Sequence, residues 1–501
     1  MNTKERKNKT QTNKNLLFWR NKNMKTAKAL LALTLTIFLA FGSIIPVFAV
    51  SPVLDNDGKP TGAYKADSET EVLSAVVAKR LKTGIATETP AETFRFIATP
   101  LSFDSVTADA NKLPQLGPNK DNIIPIAYTK GNHPGEVETD INGNTVKYVY
   151  RESANIFAGV TFTQSGDYTW TIMEQTGTFA NTATEEMIYN TTTKYEITAY
   201  VQQKSDGSGY YIWAIGTKIV VVDEGNKDGA KQGDKVDPAP GGPNEGNNWK
   251  HSGMVFTNKY IKKGGTPTNP ETDANSLSVL KRVAGTYKDE NAYFNYAMTF
   301  KKNTVSSAET TPKTTFIAYI LNTNATGTNT SVVTGTDLTK NKILGTGVNV
   351  NATTGAITIP YGVADFTFSL KANQTIAFFE IYVGTTYTIT ELAPTNYIPA
   401  VEVKYYDKKS AYKTFNDTAS ISANLAVVND KDTTDPSLLF IGEPNANTVK
   451  FTNTRELVTP TGLNLNDLPF IGMIIIAVIG VAGYVVFKFR KNGKAKNLNL
   501  N

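Results

Sequence analysis

Residues 387–391 read Tyr-Thr-Ile-Thr-Glu, and residues 450–453 read Lys-Phe-Thr-Asn. Apolar and polar side chains alternate in the first stretch, which is the period of a half-buried β-strand. A matching pair occurs earlier in the chain, where residues 168–174 read Tyr-Thr-Trp-Thr-Ile-Met-Glu and residues 256–258 read Phe-Thr-Asn. This internal repeat of strand-like sequence predicts an all-β protein with two tandem β-sandwich domains.

The repeat also sets the domain boundaries. Each half opens with a strand-like run that ends in a lysine, Lys79 in the first half and Lys281 in the second. The predicted domains are residues 72–260 and 276–456, and the Gly- and Pro-rich residues 261–275 between them are a linker.

Two further segments are predicted from composition. The polar residues 50–71 are predicted to be a flexible lead to the first domain. Residues 223–249 are rich in Gly, Pro, Asp, Asn and Lys and have almost no apolar side chains, which predicts a long mobile loop. Residues 71–82 fit a helical period as well as a strand, so their conformation stays open at this point.

The composition excludes several kinds of site. The 501 residues contain no cysteine and two histidines, so disulfides, thiolate zinc sites and cysteine nucleophiles are excluded. With so little histidine, a Ser–His–Asp triad is improbable. No other catalytic constellation is recognisable, and we therefore predict a protein that is not an enzyme and has no metal or cofactor.

The formal net charge of +6 is concentrated at the two ends of the chain. The first 49 residues carry nine basic residues and one acidic residue, followed by an apolar run over 29–41 and small residues ending at Ala49. This pattern predicts a secretory signal peptide over 1–49, starting at Met1 or at Met24.

The C-terminal residues 457–501 resemble a Gram-positive cell-wall sorting signal. Residues 468–487 are uncharged and long enough for a transmembrane helix, and a basic tail follows them. Upstream lies the motif Val458-Thr459-Pro460-Thr461-Gly462. In such signals a sortase cuts between the threonine and the glycine, here Thr461 and Gly462. Proline stands one place later than in Leu-Pro-x-Thr-Gly, which points to a dedicated sortase; the alternative is an ordinary tail anchor beside a chance Pro-Thr-Gly.

The segment expected to remain after processing, 50–461, has a net charge of −6. An acidic exported surface offers no electrostatic basis for binding nucleic acid. The excess of basic over acidic residues thus belongs to the terminal segments that are expected to be removed.

Lysine, glutamate and asparagine recur at the same places in both halves. A buried lysine becomes a neutral nucleophile, and a buried glutamate keeps a proton that it can donate. Together with an asparagine they could form an amide bond between two side chains and release ammonia. Spacing alone leaves the alternative open that all three are ordinary exposed residues.

Three stretches resemble the streptococcal major (backbone) pilins of the T-antigen type: residues 277–286, residues 384–391, and residues 451–453 leading to 458–462. The resemblance implies two Ig-like, Cna-B-related β-sandwich domains, each with a Lys–Asn isopeptide bond promoted by a glutamate. Carried over by motif, the implied sets are Lys281 and Asn453 with Glu391, and Lys79 and Asn258 with Glu174.

The resemblance also implies covalent polymerisation at the cell surface. A pilin-class sortase would join Thr461 to a lysine of the next copy, for which Lys250 is the candidate. Its rivals are Lys218, Lys259, Lys262 and Lys263. The expected partners are the sortase, other copies of the chain, and tip or basal pilins, and the expected location is the cell wall and a surface pilus. The alternative is a wall-anchored monomeric adhesin with the same domains.

Overall fold

The computed structural model describes residues 64–131, 135–139, 145–240, 251–303, 305–407, 411–429, 438–456 and 468–496. The predicted signal peptide (1–49), Lys250 and the motif 458–462 lie outside these residues. Within them, strands predominate and form two tandem sandwiches. The predicted all-β architecture is confirmed.

The first domain is a sandwich of two sheets. In sequence order its described strands are β1 (Tyr64–Lys65), β2 (Val77–Thr83), β3 (Glu92–Phe103), β4 (Ile123–Tyr128), β5 (Glu136–Thr139), β6 (Thr145–Glu152), β7 (Gly166–Gln175), β8 (Glu185–Ile188), β9 (Lys194–Gln203), β10 (Tyr210–Val221) and β11 (Met254–Lys262). One sheet has the order β1-β10-β9-β7-β3-β4, and the other has the order β5-β6-β2-β11-β8. A 3-10 turn covers Thr107–Lys112. Alternate, mostly aromatic and β-branched side chains of both sheets point inward, and Trp170 and Tyr195 are fully buried there.

The second domain repeats this two-sheet architecture, with nine described strands in one sheet and four in the other. Its described strands are β12 (Leu277–Ala284), β13 (Phe294–Lys301), β14 (Thr315–Thr323), β15 (Asn329–Val332), β16 (Asn349–Val350), β17 (Ile357–Pro360), β18 (Phe366–Leu370), β19 (Gln374–Phe379), β20 (Thr386–Leu392), β21 (Ile398–Tyr406), β22 (Tyr412–Thr418), β23 (Leu425–Val427) and β24 (Thr448–Thr454). One sheet runs β16-β17-β14-β19-β12-β24-β21-β22, with β15 paired to β14, and the other runs β18-β13-β20-β23. A 3-10 turn (Val305–Ala308) and a short helix α1 (Gly335–Thr339) lie in its connections.

One strand pairing in each domain is parallel. β2 pairs with β11 in the first domain, and β12 pairs with β24 in the second, whereas the other pairings between described strands are antiparallel. Each parallel pair brings together the two ends of a domain that are far apart in sequence. This arrangement positions the candidate sites.

Three segments differ from expectation or are decided by the structure. Residues Tyr64–Lys65, in the predicted flexible lead, pair with β10. The ambiguous stretch 71–82 contains strand β2. The prediction of a mobile loop is wrong for residues 223–240, because polar side chains pin this part to the domain. The buried Asp223 carboxylate, for example, accepts the Thr257 N–H at 2.9 Å.

The predicted linker lies against the second domain. β11 extends to Lys262, and the Gly264 N–H donates to the Ile381 carbonyl. Lys262 also forms an ion pair with Glu443 at 2.6 Å. A side chain at Gly384 would collide with the backbone at residues 84–85, so glycine is required where the two domains touch.

The last described element is helix α2 (Leu468–Lys496), whose apolar side chains from Met473 to Phe487 are largely exposed. Among the described residues, the structure contains no helix with both the length and the apolar character needed to cross a membrane. The membrane span over 468–487 stays a prediction.

Candidate functional site: two buried Lys–Glu–Asn clusters

The parallel strand pair of each domain sets the spacing between a lysine and an asparagine. In the first domain, Lys79 on β2 stands opposite Phe256 on β11, and Asn258 follows two residues later. In the second, Lys281 on β12 stands opposite Phe451 on β24. Asparagine again follows two residues later, at position 453. Side chains two apart on a strand share a face, so each lysine and its asparagine point into the same core.

The glutamate of each domain comes from the opposite sheet. Glu174 lies on β7, where it pairs with Phe96 of β3, and Glu391 lies on β20, where it pairs with Tyr296 of β13. Each glutamate continues an inward-facing row of apolar residues on its strand. The carboxyl group therefore reaches across the sandwich to the lysine and the asparagine.

In the first domain the glutamate bridges the other two side chains through separate oxygens. The Lys79 Nζ donates to Glu174 Oε2 at 2.8 Å, and the Asn258 Nδ2 donates to Glu174 Oε1 at 2.7 Å. The Asn258 Oδ1 in turn accepts the backbone N–H of Asn190 at 3.1 Å. The lysine and the asparagine are completely buried, and the lysine Nζ lies 4.7 Å from the centre of the Phe94 ring.

In the second domain the same three residues meet with a different hydrogen-bond pattern. Glu391 Oε1 accepts from Lys281 Nζ at 2.6 Å, from Tyr296 OH at 2.9 Å and from Asn453 Nδ2 at 3.0 Å. Glu391 Oε2 and Asn453 Oδ1 are buried and have no hydrogen-bond partner among the residues that the structure describes. The Lys281 Nζ lies 4.2 Å from the centre of the Phe294 ring.

Burial sets the electrostatics of both clusters. Desolvation lowers the pKa of Lys79, against the opposing attraction of Glu174, and it raises the pKa of Glu174. Desolvation likewise lowers the pKa of Lys281 to about 8, although the Glu391 carboxylate opposes this shift. In the first domain these shifts favour a neutral amine beside a protonated carboxyl group, and in the second the lowered pKa of Lys281 favours the neutral amine.

A neutral lysine amine next to an asparagine amide and a carboxyl group can undergo one specific reaction. The amine attacks the amide carbon, the carboxyl group supplies and accepts protons, and ammonia leaves. A purely structural role is less consistent with this burial, since desolvating a lysine–glutamate pair is expensive and such pairs are weak contributors to stability.

The structure brings together both predicted trios: Lys79 with Glu174 and Asn258, and Lys281 with Glu391 and Asn453. It does not describe Lys250 or the residues Val458, Thr459, Pro460, Thr461 and Gly462. The rival lysines each have an acidic partner. Lys218 pairs with Glu196, Lys259 with Glu224, Lys262 with Glu443 and Lys263 with Glu309.

Sequence reasoning missed several residues of the clusters. Phe94 and Phe294 cover the two lysines, Tyr296 contacts one glutamate, and the Asn190 backbone contacts one asparagine. The aromatic residues carry a usable signal, because Phe-x-Phe (94–96) and Phe-x-Tyr (294–296) follow the two lysine strands at similar spacing. No comparable signal marks Asn190, since its contribution is a backbone N–H.

Comparison with known proteins gives one family match and several structural likenesses. A family model described as a domain of unknown function (DUF7601) matches residues 275–431, in the second domain. No curated protein matches the chain.

The similar solved structures include major pilins from Streptococcus pyogenes. One is 18% identical over 77% of this chain and 100% of its own, with a TM-score of 0.25. An asparagine-to-alanine variant of the S. pyogenes major pilin is 17% identical over 77% of this chain and 99% of its own, with a TM-score of 0.27. The T3.2 major pilin is 16% identical, over 77% of this chain and 99% of its own, with a TM-score of 0.23. Because these TM-scores lie below 0.5, the likeness carries no argument about function.

Proposed function

We propose that this chain is a structural subunit of a covalently polymerised cell-surface pilus, and that each of its domains forms an autocatalytic Lys–Asn isopeptide bond. The observation that carries the proposal is the recurrence of a buried Lys–Glu–Asn trio in the same register in both domains. One buried trio could be an isolated ion pair. Two trios at equivalent places favour a shared chemical purpose.

The proposed reaction conserves atoms without any cofactor. The lysine ammonium passes a proton to the glutamate, and the neutral Nζ attacks the asparagine Cγ. The new C–N bond forms as the C–Nδ2 bond breaks, and the glutamate relays the proton from Nζ to the departing nitrogen, which leaves as ammonia. Each domain reacts once and on itself, so the chain is a structural protein and not an enzyme.

The bonds would suit a subunit that bears tension. A link from Lys281 to Asn453 closes a loop of roughly 170 residues, and loop entropy assigns it a stabilisation of about 5 kcal/mol. It also joins two neighbouring parallel strands covalently, so that a pull on the chain does not depend on their hydrogen bonds alone.

Polymerisation is proposed from the sequence. A pilin-class sortase would cut between Thr461 and Gly462 and transfer the threonine carbonyl to Lys250 of the next copy. Export would precede this transfer, which would join the copies head to tail and display them on the cell wall, with tip or basal pilins as further partners.

Two measurements test these parts separately. The intact mass of the recombinant segment 50–461 should be lower by two ammonia molecules than its sequence mass, and an unchanged mass would refute the internal chemistry. A surface extract of the native bacterium should show a ladder of high-mass species that survives boiling in detergent. A single monomer band would instead indicate a monomeric adhesin, and a ladder that persists in Lys250→Ala would reject that lysine.

A further inference from the structure

The two clusters differ in what contacts the asparagine oxygen. Nucleophilic attack on an amide places negative charge on that oxygen, so a hydrogen-bond donor there stabilises the transition state. In the first domain the donor is the Asn190 N–H, which contacts Asn258 Oδ1 at 3.1 Å. In the second domain Asn453 Oδ1 is buried, and no group in the described part of the chain donates to it.

The unpartnered atoms of the second domain complement each other. A neutral carboxyl group and a primary amide can form two hydrogen bonds, one from the amide N–H to a carboxyl oxygen and one from the carboxyl O–H to the amide oxygen. The first of these is present between Asn453 Nδ2 and Glu391 Oε1 at 3.0 Å. The atoms needed for the second, Glu391 Oε2 and Asn453 Oδ1, are the two left without partners. A proton on Oε2 would complete the pair and supply the missing donor.

Tyr296 affects which of the two Glu391 carboxyl oxygens can carry that proton. Its hydroxyl donates to Glu391 Oε1, which also accepts from Lys281 and Asn453. A carboxyl oxygen has about two lone-pair sites, so three donors leave no room for a proton on Oε1. The first domain has Phe96 at the equivalent position, and there each oxygen of Glu174 accepts from one of the other two side chains of the trio.

We propose that Tyr296 is a positioning residue for isopeptide formation in the second domain, where its hydroxyl occupies Glu391 Oε1 and thereby directs the catalytic proton to Oε2. This inference rests on the proposed function. The Lys281 ammonium transfers one proton to the Glu391 carboxylate through the contact with Oε1, and the three donors to Oε1 leave Oε2 as the oxygen that keeps it. The Oε2 hydroxyl then donates to Asn453 Oδ1 while Nζ attacks Cγ. When the tetrahedral centre collapses, the proton lost by Nζ reaches Nδ2 through the carboxyl group, and ammonia leaves. The first domain needs no such tyrosine, because a backbone N–H already contacts its amide oxygen.

The test is a time course of linkage in the full chain, comparing wild type with Tyr296→Phe. Chains are synthesised in a short isotopic pulse in a cell-free system and quenched at intervals, and the cross-linked peptide of each domain is quantified by mass spectrometry. Phenylalanine preserves the ring and reproduces the residue of the first domain. The first-domain peptide serves as an internal clock, and Glu391→Ala provides the unlinked reference.

In Tyr296→Phe we expect second-domain linkage to slow by about ten-fold or more, which is the effect of losing a hydrogen bond to a charged group. First-domain linkage should keep its wild-type rate, and second-domain linkage should still reach completion. An unchanged second-domain rate would overturn the role of Tyr296 and leave the proposed function standing. A second outcome would also overturn the role of Tyr296: second-domain linkage that proceeds at the wild-type rate but stops before completion. That result indicates that a fraction of the variant chains does not fold. Absence of both cross-linked peptides from wild type would overturn the proposed function as well.

Discussion

The two domains hold the same Lys–Glu–Asn trio on the same scaffold but surround it with different hydrogen-bond donors. In both, the asparagine lies two residues beyond the strand partner of the lysine, and the glutamate reaches in from the opposite sheet. The first domain contacts its amide oxygen with a backbone N–H, whereas the second directs a tyrosine hydroxyl to its glutamate. The comparison teaches that strand register fixes which three side chains meet. The neighbouring loops and strands determine which hydrogen bonds the glutamate and the asparagine accept.

The largest expected effect comes from removing each glutamate in turn. Glu174→Ala and Glu391→Ala should each retain the mass of one ammonia and lose about 5 kcal/mol of stability, because both bonds close loops of similar length. Intact mass and thermal unfolding of the single variants check this. Glu402→Ala, an exposed position on β21, serves as the control and should change neither quantity. If only one of the two variants retains the mass of an ammonia molecule, the two domains do not form their bonds in the same way.

Linkage in the second domain should slow at high pH. The reaction uses one proton shared by Lys281 and Glu391, and burial lowers the pKa of that lysine to about 8 from 10.5. Above pH 8 the unlinked cluster loses the proton that must reach the amide oxygen, so the rate should fall by about ten-fold per pH unit.

Unfolding does not account for such a decline. Between pH 8 and 10.5 the unfolded lysine still holds a proton that the folded one has lost, so the unlinked domain gains stability as the pH rises. Pulse-labelled chains held at a series of pH values give the profile for both domains. A second-domain rate that rises through pH 8 would show that deprotonation of the lysine alone limits the reaction.

Asp223→Ala should slow linkage in the first domain by a few-fold to about ten-fold, and leave the second unchanged. The Asp223 carboxylate accepts from the Asn190 side chain at 2.9 Å and from the Thr257 N–H, which adjoins Asn258. Loss of this carboxylate removes the contact that holds Asn190, whose N–H donates to Asn258 Oδ1, and it leaves the buried Thr257 N–H unpaired. The rate of appearance of each cross-linked peptide is the measurement. An equal slowing in both domains would contradict this local role.

The smallest effect is expected for Phe96→Tyr, which gives the first domain the tyrosine of the second. Because Asn258 Oδ1 already accepts the Asn190 N–H, an added hydroxyl near Glu174 should change the linkage rate by less than about two-fold. The same peptide time course measures it. A large acceleration would mean that the backbone N–H is not a sufficient donor.

Much of the fold and the members of the two Lys–Glu–Asn trios could be predicted from sequence. Alternation along the strands predicted two β-domains, and the repeated Phe-Thr-Asn and lysine-ending runs identified the trios. The mobile loop was predicted wrongly over 223–240, because composition does not reveal that an aspartate will be buried and saturated by backbone N–H groups. Tyr296 and Asn190 were missed because their contacts come from strands and loops distant in sequence.

By itself, the sequence determined which side chains point inward. Lys281 follows Leu277 and Val279 at a spacing of two, and Glu391 likewise follows Tyr387 and Ile389, so a two-residue period places charged groups in the core. Only the tertiary structure decided that they meet, because strand register and the distance between sheets depend on how the whole sandwich packs. It also decided which oxygen of each glutamate receives which donor. That choice depends on ångström-scale placement of groups from three strands in the first domain and four in the second, which no local pattern encodes.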